Sequence, residues 1–150
     1  MKSVEHSKTF EIAAPVGDLF PLFSPEGEKL WVPGWDYKNV MGTLDLAEDY
    51  VFLTDSHDHR TAEAIWVVKR YEPADGLVEF YKIEPGDKMG VVKVKCEALA
   101  ECLTEVQVVY KYIALSSKGA AFISSFTAAA YAGFIGEWQT LLSKHLESKD

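Results

Sequence analysis

His6 and Lys8 place two ionisable side chains on the same parity of an N-terminal segment whose other positions on that face are Val4, Phe10 and Ile12. On an apolar face such a pair can bind a carboxylate or phenolate, or act as acid and base. Side chains of this kind more often lie near a strand end and reach solvent, so His6 stands only as a candidate polar handle and no catalytic role is assigned. Farther along, DSHDHR offers Asp55, His57, Asp58 and His59, all metal-ligating types. Neighbours in a tight turn rarely converge on one ion and no distant pair matches them, so a solvated turn and no metal are expected. Glu28, one helical turn before Trp31, either points into the mouth of a site or complements the positive end of a helix; the second is expected. No Ser/His/Asp or Cys/His arrangement, phosphate-cradling glycine loop or zinc spacing stands out, and no cofactor is expected.

The stronger signal is aromatic. The stretch SPEGEKLWVPGW sets Trp31 and Trp35 among two prolines and two glycines. Breakers shape the backbone and aromatics fill space, so this is either a sealed corner of the core or the wall of a cavity. Trp66, Tyr110 and Tyr112 fall on the apolar parity of later segments, and Phe122, Phe126 and Phe134 on a C-terminal helical stripe. Both readings, core filler and pocket lining with hydroxyl handles, fit these residues. Small residues crowd the same helix at Ala128, Ala129, Ala130, Ala132, Gly133 and Gly136. They serve either close helix–sheet approach or ligand volume.

The elements that must hold these residues follow from periodicity. Alternation predicts a strand over 3–12. A short helix over 16–22 follows, started by Pro15 and closed by Pro21. Ser24 before Pro25, with Glu26 and Glu28 in the first turn, predicts a second short helix that VPG ends. Strand-like runs cover 37–43, 50–54, 61–71, 77–83, 91–98 and 105–115, and the turns between them leave no room for crossover helices. Val92, Val94, Cys96 and Ala98 oppose Lys93, Lys95 and Glu97, so the sheet has one wet and one apolar face. The parity of 77–83 stays ambiguous. One long helix over 116–146, with Phe122, Ile123, Phe126, Ala130, Phe134, Trp138 and Leu141 as its stripe, closes an α+β layout.

Composition narrows the function classes. At 150 residues, with 48% hydrophobic and 13% aromatic content, one folded domain over 1–150 is expected. A net charge of −8 with scattered lysines argues against nucleic acid or anionic lipid surfaces. Cys96 and Cys102 are expected as free, buried thiols of a reducing compartment. The N-terminus lacks the apolar run of a signal peptide, which makes the cytoplasm the expected location. The uncharged stretch 119–136 reads as a buried amphipathic helix and not a membrane span.

The order strand, two short helices, six strands and a long helix resembles the helix-grip fold of the START/SRPBCC superfamily, which includes polyketide cyclase/dehydrase-like and Bet v-type proteins. FEIAAPVGDLFPLFSPEGEKLWVPGW looks like the opening of many bacterial members, and IEPGDKMGVVKV and TEVQVVYKYIALSSKG look like the hairpins leading into the last helix. The resemblance covers nearly the whole chain. It implies a curved antiparallel sheet of about seven strands around the C-terminal helix, with a cavity between them. The expected function is binding of a hydrophobic or amphipathic small molecule, a lipid or polycyclic compound. The alternatives are a metal-free cyclase/dehydratase with a titratable group in the cavity, and a heat-shock ATPase activator-like interaction module with a filled core.

Overall fold

The computed structural model describes residues 2–55 and 63–148. β1 (Ser3–Ile12) leads into α1 (Val16–Leu19), a 3-10 turn (Phe20–Leu22) and α2 (Pro25–Glu28). The strands β2 (Lys38–Asn39), β3 (Val51–Thr54), β4 (Ala64–Glu72), β5 (Leu77–Glu84), β6 (Lys88–Ala100) and β7 (Leu103–Ala114) follow, then α3 (Ser117–Ser125) and α4 (Ala128–Glu147). All neighbours are antiparallel in one seven-stranded sheet of order β1-β7-β6-β5-β4-β3-β2. The DSHDHR histidines lie outside the described residues.

Alternation sets the inner face. Val92, Val94 and Cys96 of β6 and Val106, Val108, Tyr110 and Tyr112 of β7 are buried on the same side. Ala98, expected with them, is exposed, because the register with β7 shifts between Ala98 and Ala100 and a bulge turns the strand end outward. In β5, Val78 and Phe80 face inward, which carries Lys82 and Glu84 to the same face and resolves the ambiguous parity. Gly76 closes the turn before β5 at φ +64, and a Cβ there would lie 2.3 Å from the Cys96 carbonyl oxygen. No other residue type fits.

Three expectations are corrected. The strand over 37–43 shrinks to Lys38–Asn39, because the Asn39 side chain accepts from Gly42 N–H and donates to Thr43 O, each at 3.0 Å, folding the segment into a turn. Cys96 is buried but Cys102, at the β6–β7 turn, is exposed; both are free. The long C-terminal helix is two helices, bent by 75°. Phe126 leaves helical geometry at ψ 66, and Thr127 Oγ1 caps the second helix by accepting from Ala130 N–H at 3.1 Å. The break resets the helical phase, so Tyr131, Ile135, Trp138 and Leu142 face the core while Ala130 is exposed and Phe134 is 37% exposed. Among the described residues no single helix is long and apolar enough to cross a membrane; the bent pair together reaches that length and composition.

The start of α3 is locked to the β5–β6 turn. Asp87 O accepts from Leu115 N–H at 2.8 Å, and Ser116 Oγ accepts from Gly119 N–H at 3.3 Å. A Cβ on Gly119 would lie 2.0 Å from that Asp87 oxygen, whereas one on Gly133 would meet nothing within 4 Å. Gly119→Ala is therefore expected to destabilise the fold by about 1–3 kcal/mol through overpacking. Gly133→Ala is expected to stabilise it by up to about 1 kcal/mol through helix propensity. Urea denaturation of the two variants checks the contrast.

Candidate functional site

The corner SPEGEKLWVPGW is built first. Ser24 Oγ accepts from Gly27 N–H at 2.9 Å and starts α2. Trp31 Nε1 donates to Leu22 O at 2.8 Å, and Trp35 Nε1 donates to Pro25 O at 2.9 Å. Both indoles thus tie the exit of α2 back to its entry, and their rings are fixed by backbone acceptors. Glu26 and Glu28 are about 200° apart around this turn of helix and face opposite ways. Glu26 pairs with the Tyr37 hydroxyl and with Lys29, which hold its carboxyl below the usual range. Glu28 turns inward.

Glu28 enters a cavity of about 490 Å³. One wall is the α2 exit from Val32 to Asp36, including Trp35. The sheet supplies Thr54 of β3, Ala64 and Trp66 of β4, Lys82 and Glu84 of β5, and Tyr110 of β7; α4 supplies Phe134 and Trp138. An adjoining cleft of about 20 Å³ shares Glu28, Trp66, Tyr110 and Trp138 and runs against Phe52, Phe80, Val92 and Val94. A surface groove of about 760 Å³ lies between Trp31 and the outer side of α4, past Gly133 and Gly136. Val32, Pro33, Phe134 and Trp138 belong to both groove and cavity, so the two adjoin at that edge.

The predicted lining residues divide. Trp35, Trp66, Tyr110 and Phe134 line the cavity, while Trp31 is buried against Phe23 and Trp138 and borders the groove. Tyr112, Phe122 and Phe126 do not line it. They pack on one another at ring separations of 5.2–5.5 Å under α3, with the buried Lys88 ammonium 4.1 Å from the Phe122 ring. His6 is corrected too: its Nε2 donates to Phe126 O at 2.7 Å and its ring stacks on Tyr131. Lys8 Nζ donates to Ala132 O at 3.0 Å. Both polar residues of β1 hydrogen-bond to the backbone at the bend of the C-terminal helices and do not line the cavity.

Glu28 and Lys82 are the groups that sequence reasoning missed. Glu28 was expected to serve only the helix end, but burial in the apolar cavity pushes its carboxyl up to about 8, against the opposing charge of Lys82. Lys82 lies over the Trp66 ring at 5.3 Å, and burial lowers its pKa despite the raising charges of Glu84, Glu28 and Asp87. Burial, followed by the charges of Tyr112 and Glu28, lifts the Tyr110 hydroxyl well above its ordinary value. The register Trp66↔Lys82 could have revealed Lys82, since Trp66 is on a face whose parity was legible. Among the described residues no cluster of three metal-ligating side chains occurs.

Glu28 generates a pH dependence. Its folded-state pKa lies above the ordinary 4.5, so the native state holds the proton more tightly than the unfolded chain does. Stability from this group is then lost as pH rises from about 5 to about 8. Glu28→Gln, uncharged throughout, is expected to melt about 3 °C or more above the native sequence at pH 9. The difference closes toward pH 5, as thermal melts across that range will test.

No family model matches the chain, and no curated protein matches it. Solved structures do. A START superfamily protein from Mycobacterium smegmatis superposes at TM-score 0.71 with 16% identity, covering 97% of this chain and 99% of that one. Ara h 8.0201 gives 0.69 with 14% identity over 97% and 99%. The Zhui aromatase/cyclase from Streptomyces sp. R1128 gives 0.68 with 10% identity over 99% and 97%. At these identities the likeness is one of fold. With a seven-stranded antiparallel sheet, short helices after β1 and C-terminal helices, the chain has a Bet v 1-like helix-grip fold.

Proposed function

We propose that this protein binds a hydrophobic or amphipathic small molecule, a lipid or a polycyclic, polyketide-like compound, in the cavity between the sheet and α4. The observation that carries this reading is the cavity itself. It has about 490 Å³ of space, within the range of small-molecule sites, and its walls set the aromatic rings of Trp35, Trp66, Tyr110, Phe134 and Trp138 beside charged groups such as Glu28, Lys82 and Glu84. In this reading Trp35, Trp66, Tyr110 and Phe134 contact the ligand, and the edge shared with the groove is its entrance. Tyr112, Phe122 and Phe126 support α3 from outside the site. Binding draws on apolar burial and needs no metal or nucleotide. We further place the chain in the cytoplasm as one domain over 1–150. An interaction module would want a filled core, so the cavity ranks that reading lower.

A specific observation favours a second reading, a cyclase/dehydratase-like enzyme. Such an enzyme wants a titratable group inside the cavity with a pKa near working pH, and Glu28, at about 8, is one. Glu28→Gln would then suppress conversion of a bound compound that the native protein transforms.

The binding reading is tested by native purification, solvent extraction and mass spectrometry, followed by titration of the compound recovered, or of lipids and polycyclic aromatics, against tryptophan fluorescence. Trp66→Ala is expected to weaken binding by about tenfold or more, roughly 1.4 kcal/mol. Phe122→Ala, which loses core packing under α3 outside the cavity, is expected to lower the melting temperature and leave affinity unchanged. Equal losses of affinity in both variants, or no ligand at all, would count against the cavity.

A further inference from the structure

We propose that Lys82 is a carbonyl-reactive amine, which forms an imine with an aldehyde or ketone group on the ligand while Glu28 relays the proton. This deepens the binding reading above and rests on it.

Lys82 is the only amine among the described residues that line the cavity. The other lysines that reach inward are committed. Lys88 is buried against Glu84 at 3.2 Å and Asp87 at 3.5 Å, and Lys8 donates to the Ala132 carbonyl. Lys82 makes no salt bridge or hydrogen bond among the described residues; its neighbour is the face of Trp66. Glu28 shares the cavity and is likewise without a hydrogen-bond partner among them. Among the described residues the amine and the carboxyl therefore line one cavity with neither of them hydrogen-bonded or ion-paired, which leaves both open to a ligand. The cysteines offer no competing nucleophile in the cavity, since Cys96 has its thiol pushed up to about 12 by burial and Cys102 lies outside.

The chemistry balances without a further reactant. In its neutral form the Lys82 amine attacks the carbonyl carbon, forming C–N, and the carbonyl oxygen takes the Glu28 proton to give a carbinolamine. Glu28, now carboxylate, accepts one proton from nitrogen and returns it to the hydroxyl, which leaves as water as C=N forms. Glu28 then takes the remaining N–H proton of the iminium to leave the neutral imine. One carbonyl and one amine give one imine and one water, with no change of oxidation state and with Glu28 restored. Burial favours both starting forms, because it penalises the ammonium and the carboxylate alike.

The test uses 2-naphthaldehyde with sodium cyanoborohydride, which reduces an imine to a stable secondary amine, and 2-naphthylmethanol as a neutral analogue unable to form one. Peptide mapping after brief exposure is expected to find the adduct on Lys82 at least about tenfold ahead of any other lysine. Lys82→Arg is expected to abolish that adduct, and Glu28→Gln to slow its formation by about tenfold or more. Cooperative melting of each variant checks that it folds, and the mapping on the native chain decides the site without them. If the alcohol binds and the aldehyde marks lysines indiscriminately, the imine is overturned and the binding reading stands. If neither probe engages the cavity, the binding reading fails and the imine with it.

Discussion

The break in the C-terminal helix at Phe126 is the constraint on which the rest of the architecture depends. A continuous helix would carry Phe126, Ala130 and Phe134 along one stripe. Instead Phe126 leaves helical geometry, its carbonyl is taken by His6 Nε2, and Thr127 caps a new helix at 75° to the first. Four long-range bonds then seat the bend and α4 on the β1–β7 side of the sheet: His6 to Phe126 O, Lys8 to Ala132 O, the Tyr131 hydroxyl to Val108 O, and Gln139 Nε2 to Glu11 O. Strands β3, β4 and β5 face α4 across the remaining space, and that space is the cavity. His6 and Lys8 thereby help to set where the cavity lies without lining it, by donating to the Phe126 and Ala132 carbonyls.

The aromatic side chains divide along the same line. Under α3, Tyr112, Phe122 and Phe126 close on one another and on the Lys88 ammonium, which the carboxylates of Glu84 and Asp87 neutralise. Under α2 and α4, Trp31 and Trp35 have their N–H groups bound to backbone carbonyls, so their rings are oriented edges rather than free filler. Trp66 is held the same way, its Nε1 donating to Thr54 Oγ1 at 3.0 Å. A cavity persists where tethered rings cannot collapse into it, whereas untethered aromatics fill their space. The question posed by tryptophans among prolines and glycines thus has a physical answer. The breakers fold the α2 exit back so that indole N–H groups reach its entry, and the wall is rigid because of it.

Within that wall burial acts on the charges more strongly than ion pairing does. Glu28 is pushed toward its neutral form, and Lys82 is pushed the same way although three acids nearby oppose the shift. Glu84 is ion-paired with Lys88, and Glu28 and Lys82 face the same cavity without a hydrogen bond among the described residues. Surface carboxylates such as Glu26, two residues away, show the opposite response because Tyr37 and Lys29 supply bonds to the charged form. Helical rotation over two positions separates these fates.

The sequence by itself determined the element order, the inner face of β1, β6 and β7, the Ser24 cap and the α+β class, because each rests on local periodicity or cap chemistry within a few residues. It also held the resemblance to the helix-grip superfamily. Tertiary structure alone decided three things. The helix break depends on His6, 120 residues away from the carbonyl it satisfies, and no local pattern carries that bond. The inward parity of Lys82 and Glu84 depends on pairing with β4, since apolar residues occupy both faces of 77–83. The role of Glu28 depends on what closes over it, because the same carboxylate at a helix start is an electrostatic aid in water and a neutral acid inside a cavity.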